Sequence, residues 1–127
     1  TTKINLFSVH LSTYQDERVL AAKEINRIIR KIDPSELIIM GGDFNVGVTR
    51  LGKGKYTYEE SESYEEYEIL KKQLEKLPNE KDTWFSDLGN GCIDTIFYSK
   101  GIRLNKYETI EANGASDHNA VFAEFDI

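Results

Sequence analysis

The chain has 127 residues and a mass of 14.6 kDa, the size of one domain that can bury a core without disulfides or a structural metal. Hydrophobic residues make up 39%, charged residues 30% and aromatics 11%, which excludes the disordered and fibrous classes. A single cysteine, Cys92, excludes an internal disulfide and a multi-cysteine zinc site. The net charge is −6, of which residues 59–80, with eight glutamates and three lysines, supply −5. The remainder is nearly neutral, so no strongly basic face is available to hold a long duplex by counterion release. The acidic segment itself reads as one solvated helix face. No apolar run approaches the roughly 20 residues of a membrane-spanning helix. No secretory signal is read, and the chain opens on Thr1 rather than Met, as a cut or processed end would. A soluble, cytoplasmic protein is the expectation.

Residues 3–10 (KINLFSVH) alternate and are rich in strand formers, so a strand ends near His10. Over residues 15–32, Val19, Ala22, Ile25, Ile29 and Ile32 recur at spacings of three and four, one apolar stripe on a helix that Asp33-Pro34 terminates. Residues 36–40 form a short continuous apolar strand of the type buried on both faces. Strand, helix and strand in that order predict a crossover unit and a parallel or mixed sheet. Gly41-Gly42 is expected to break the strand. Residues 47–57, with three glycines and Arg50, Lys53 and Lys55, are expected to be a flexible basic loop. A second helix is predicted over 59–77, buried through Tyr67, Leu70, Leu74 and Leu77, and stopped by Pro78-Asn79. Residues 84–85, 93–99, 102–108 and 120–126 read as strands. No repeat or interdomain linker is present.

Polar groups fall where these strands leave the sheet: His10, Asp43 with Asn45, Asp94, and Asp117-His118. Loops at strand ends are the usual place for ligand chemistry in α/β sheets. Carboxylates with an asparagine oxygen suit a hard divalent cation such as Mg²⁺, and histidines supply a base or a phosphate donor near neutral pH. The combination points to metal-assisted hydrolysis of a phosphate ester. Arg50, Lys53 and Lys55 could steer a phosphate-rich substrate, although a solvated loop is the commoner outcome for such residues.

Gly42-Asp43-Phe44-Asn45 resembles the GDFN signature of the endonuclease/exonuclease/phosphatase superfamily. In the same order as in that family, Val9-His10-Leu11 resembles its HL strand end, Ile93–Phe97 its IDxIF strand, and Ser116-Asp117-His118 its terminal SDH motif. Gly41-Gly42-Asp43-Phe44 is also similar to the GGDEF signature of diguanylate cyclases, but no glutamate follows and nothing else fits. The resemblance implies half of a four-layer α/β sandwich, with a mixed sheet and helices on one face. Residues 1–127 would be the C-terminal half of the domain, with the half that supplies an asparagine and a metal-ligating glutamate absent. It further implies that Asp43 orients and deprotonates water, Asn45 and His10 contact the substrate or its attacking water, and His118 pairs with Asp94 and meets the phosphate. Asp43 and Asp117 would serve the metal, Mg²⁺ with Mn²⁺ as an alternative. Arg50 and Lys53 are further substrate-binding candidates. Substrates of such proteins include nucleic acids, inositol phosphates and phospholipid headgroups. Two readings follow: a metal-dependent phosphoester hydrolase represented by half its catalytic domain, or a non-catalytic fragment that keeps the fold. Strands apolar on both faces imply that the missing half, or a second copy of the chain, covers the open sheet face.

Overall fold

Alternation along three apolar strands determines which residues face which way. In the computed structural model, which describes residues 1–127, the chain runs β1 (Ile4–His10), α1 (Gln15–Ile29), β2 (Leu37–Asp43), β3 (Val48–Gly52), β4 (Lys55–Tyr58), α2 (Glu65–Lys71), β5 (Leu74–Lys76), β6 (Trp84–Ser86), β7 (Gly89–Gly91), β8 (Asp94–Ser99), β9 (Arg103–Ile110) and β10 (Ala120–Asp126). A four-stranded mixed sheet has the order β1-β2-β8-β5, with β1 and β2 parallel and the other two pairings antiparallel. Three hairpins, β3-β4, β6-β7 and β9-β10, form separate two-stranded sheets. The expected α/β class, with a mixed sheet and helices on one face, is the observed one. No helix is long and apolar enough to cross a membrane.

Both helices pack on one face of the sheet. Ala22 and Ile29 of α1 and Leu70 of α2 meet Ile38, Met40 and Phe97 of the strands, with Phe44 filling the end of the layer. The rings of Phe44 and Phe97 are centred 5.2 Å apart and those of Tyr67 and Phe97 5.7 Å apart, a tilted aromatic cluster. The buried stripe of α1 is Arg18, Ala22, Asn26 and Ile29 rather than the all-apolar one expected. Arg18 is buried because its Nε donates to Glu66 of α2 at 2.7 Å and its Nη1 to the Ser12 carbonyl at 3.2 Å. Glu66 therefore leaves the solvated face on which the sequence placed all the glutamates. The helix also stops at Ile29, short of Ile32. Its last turn tightens, with Lys31 and Ile32 N–H groups donating to the carbonyls three residues back.

Three other segments differ from expectation. β2 runs through Gly41-Gly42 to Asp43. Gly42, at φ 149°, sits so close to β1 that a Cβ would lie 1.9 Å from the Val9 carbonyl oxygen, so the glycine permits the pairing instead of breaking it. Residues 47–57 hold an ordered hairpin, β3-β4, rather than a flexible loop. The second helix spans only Glu65–Lys71. Upstream of it, the Tyr64 hydroxyl accepts the Ser61 N–H at 3.0 Å and lies 2.9 Å from the Glu59 carbonyl, stapling a loop. Downstream, Leu74 belongs to β5, paired with Ser99 of β8, and from there joins the core cluster with Leu70 and Ile29.

The opposite face of the sheet carries Ile4 and Leu6 of β1, Ile39 of β2 and Tyr98 of β8. The β9-β10 hairpin covers its β8 side, with the Phe125 ring tilted against that of Tyr98 at 4.8 Å between centres. The β1 side stays open, and Leu6 is 76% exposed.

Candidate active site

One rung of the sheet assembles three of the polar strand ends. His10 of β1 pairs in register with Asp43 of β2, which pairs with Asp94 of β8. The first two close their strands and Asp94 opens its own, but β8 runs antiparallel, so all three lie on one edge. By alternation they point away from the helices, on the same face as Leu6 and Ile39. His118 comes from outside this sheet. It precedes β10, forms a bridge with Trp84 of β6, and its N–H donates to Ser116 Oγ at 3.0 Å. The edge is thus shared by two layers rather than formed by a single sheet.

Asp43 is central. Its Oδ1 accepts the Asn45 N–H at 2.9 Å, a tight turn in which Asn45 takes a left-handed φ of 52°. Asn45 is buried, and its Nδ2 donates to the Leu11 carbonyl at 2.7 Å, pinning the segment after His10 to the turn after Asp43. The other oxygen, Oδ2, lies 3.6 Å from His10 Nε2 and 3.9 Å from His118 Nε2. Both exceed an ordinary hydrogen bond, so Oδ2 remains able to accept one from a third group. Burial, followed by the nearby charge of Asp94, pushes the Asp43 pKa up from the usual carboxylate range.

Asp94 Oδ2 and His118 Nδ1 are 2.8 Å apart, an arrangement that keeps the proton on Nδ1 and orients the ring. Burial pulls the His118 pKa down, but the hydrogen bond and charge of Asp94, with the charges of Asp43 and Asp117, outweigh it and hold the imidazole above its ordinary value. When protonated, His118 presents Nε2–H toward Asp43. The Asp117 side chain is exposed and contributes charge, while its carbonyl accepts the Phe85 N–H at 3.0 Å. Arg50 and Lys53 stand apart on the β3-β4 hairpin, Lys53 in its exposed turn.

Sequence reading passed over the residues that position Asp94. Thr83 is fully buried, and its Oγ1 accepts the N–H groups of both Ile93 and Asp94 at 3.0 Å. Its carbonyl accepts the Asn119 N–H at 2.8 Å, tying the His118 loop to the same point. Asn79 donates to the Asp94 carbonyl at 3.0 Å and accepts from the Thr95 hydroxyl at 2.7 Å. Nothing in the local sequence marks Thr83 or Asn79, since their partners lie 10 to 36 residues away.

The ligand atoms of Asp43, Asp94 and His118 all lie within 4.8 Å of one another. Burial and the neighbouring Asp94 charge raise the proton affinity of Asp43, a strain that a hard divalent cation would relieve, so the donor set fits such an ion.

The family model described as endonuclease-reverse transcriptase matches residues 4–122. No curated protein matches in sequence. Among solved structures, the chain is similar to a mannosyl-6-phosphatase of Bacteroides thetaiotaomicron, with 20% identity and a TM-score of 0.64 over 96% of this chain and 51% of that one. It is similar to a protein of unknown function from Enterococcus faecalis, with 17% identity and a TM-score of 0.65 over 95% and 49%. A third is an endonuclease/exonuclease/phosphatase family protein from Bacteroides thetaiotaomicron, with 18% identity and a TM-score of 0.61 over 94% and 48%. The chain spans about half the length of each. From the strand-end motifs to the shared fold, the chain belongs to the endonuclease-reverse transcriptase family within the endonuclease/exonuclease/phosphatase superfamily.

Proposed function

We propose that this chain forms the C-terminal half of a metal-dependent phosphoester hydrolase site centred on Asp43. The supporting observation is the meeting of Asp43, Asp94 and His118 at one point. Water attacks phosphorus in line, forming one P–O bond as the ester P–O bond opens, and the departing oxygen takes a proton from solvent. Asp43, its proton affinity raised by burial and by Asp94, accepts the water's proton. His118, held by Asp94, donates Nε2–H to a phosphoryl oxygen on which charge builds. His10 and Asn45 flank the reacting oxygens. Mg²⁺ or Mn²⁺, held through the carboxylates of Asp43 and Asp94, would neutralise charge on the phosphoryl oxygens. Asp117 acts on His118 through its charge. Because similar structures are about twice as long, we infer that the open face around Leu6 is covered in the active protein by the other half of the fold.

The test is Asp43→Asn in the full-length protein, assayed on an activated phosphodiester with Mg²⁺. The expected fall in kcat is about 10²- to 10⁴-fold, with the unfolding midpoint little changed. Wild-type-like turnover in that variant would sink the reading. The half-length match also favours a second reading, a folded fragment without turnover. The same assay on the isolated 127 residues separates the two.

A further inference from the structure

Of the five arginines, Arg50 alone lies over aromatic rings. Arg18 and Arg27 are each paired with a glutamate, Glu66 and Glu24. Arg50 enters no ion pair, and its side chain donates no hydrogen bond within the chain. Arg30 and Arg103 likewise enter no ion pair, so what sets Arg50 apart is its neighbours. Its partners are two aromatic rings. The guanidinium carbon lies 5.4 Å from the ring centre of Tyr14 and 5.7 Å from that of Tyr56, inside the reach of cation–π attraction, about 6 Å. The rings hold the group in place yet accept none of its N–H donors. A guanidinium restrained in this way, with its donor fork unspent, is suited to bidentate contact with an oxyanion. Restraining it beforehand also lowers the entropy lost on binding.

The position ties this group to the catalytic edge. Tyr14 follows His10 by four residues, on a segment fastened by Leu11 N–H to the Asp43 carbonyl at 2.9 Å and by Asn45 Nδ2 to the Leu11 carbonyl at 2.7 Å. Arg50 follows Asn45 by five residues, in a strand that opens with Val48 N–H donating to the Asn45 carbonyl at 3.0 Å. Val48 is itself buried against Trp84 and Ile93, which flank His118 and Asp94. Five residues of fully extended chain span at most about 17 Å, which bounds the separation of Arg50 from Asn45.

We propose that Arg50, braced by Tyr14 and Tyr56, is a second phosphate subsite, and that the substrate class carries at least two phosphate groups. One is cleaved between Asp43 and His118, and the other is held at Arg50. This rests on the hydrolytic reading above and narrows it. The held phosphate is either the next phosphodiester of a short single strand or the second phosphate of a small polyphosphorylated ester. Lys53, in the hairpin turn without a brace, attracts anions without fixing them.

The experiment is calorimetric binding to the 127-residue chain at low ionic strength, with two matched pairs of probes. One pair is deoxythymidine 3′,5′-bisphosphate against the 5′-monophosphate, and the other is inositol 1,4-bisphosphate against the 1-phosphate. The bisphosphate of at least one pair should bind about tenfold more tightly than its monophosphate, the effect of one charge-assisted contact. The pair that shows this ratio identifies the source of the second phosphate. Arg50→Gln should bring the ratio near one, and Tyr56→Leu should lower the ratio in part. His118→Gln should weaken both members of a pair equally. If His118→Gln changes nothing while Arg50→Gln still abolishes the ratio, the catalytic reading fails and the subsite stands. A wild-type ratio near one in both pairs, a ratio indifferent to Arg50→Gln, or no binding at millimolar concentration overturns the subsite.

Discussion

The two faces of the central sheet are made by alternate residues of the same strands, yet they obey different rules. On the helix face, Met40, Phe44 and Phe97 are fully buried and interlock with Leu70 and Ala22. On the other face, Ile4 and Leu6 are exposed, Tyr98 finds a partner in Phe125, and the row ends in His10, Asp43 and Asp94. The helix face holds the fold, and the open face carries the proposed site. Stability and function are thus separable residue by residue along a single strand, because each neighbour in sequence belongs to the opposite side.

That contrast can be broken most forcefully in the core. Phe97→Ala should cost about 3–5 kcal/mol in chemical denaturation, the range for removing a buried aromatic. Leu6→Ala, on the open face of β1, should cost under about 0.5 kcal/mol; equal costs would erase the distinction between the faces. A comparable loss is expected from the ion pair between the helices. Arg18→Met or Glu66→Leu alone should destabilise by about 3–5 kcal/mol, since either leaves a charge buried without its partner. The double variant should recover most of that loss, and a simple sum of the two single effects would contradict the pairing.

A smaller effect concerns pH. The folded-state pKa of His118 lies above 6.5, so protonation favours the folded state. Its stabilising contribution is complete below the unfolded value and is lost as pH rises through the folded one. Asp43 is shifted in the same direction from 3.8, so it too favours folding when protonated, with its contribution lost as pH climbs from the acid side. Both oppose the usual carboxylate trend. His118→Gln should flatten the decline in unfolding midpoint above pH 6.5, and Asp94→Asn should lower the His118 titration seen by NMR. The smallest expected effect is on assembly. The isolated chain should self-associate weakly through its open face in sedimentation at micromolar concentration, and Leu6→Arg should abolish it.

The sequence was most informative where the determinants are local. β1 declares itself by alternation, β2 and β8 by runs of apolar residues, and the resemblance carried by the strand-end motifs implied the approach of His118 to Asp94. It was least informative where a distant partner decides. Tyr67, Leu70, Leu74 and Leu77 keep helical spacing, yet Leu74 lies on a strand paired with Ser99, 25 residues away. Glu66 looks like its acidic neighbours until Arg18, 48 residues upstream, is seen to bury with it. Gly41-Gly42 reads as punctuation because a glycine signals both a turn and a close backbone contact, and only the neighbouring strand distinguishes them. Thr83 is an ordinary threonine until the strand it supports is folded beside it.

Placing His10, Asp43 and Asp94 on one rung makes the site a counting device. Strand pairing advances in whole residues, about 3.3 Å at a time, and a slip of one residue also turns each side chain to the opposite face. The three groups cannot drift apart by fractions. A lesion in β1 or β2 that loosens the pairing should therefore divide the population into molecules with an assembled site and molecules with none. Titration of active sites in such variants should find fewer competent molecules, each working at the undamaged rate.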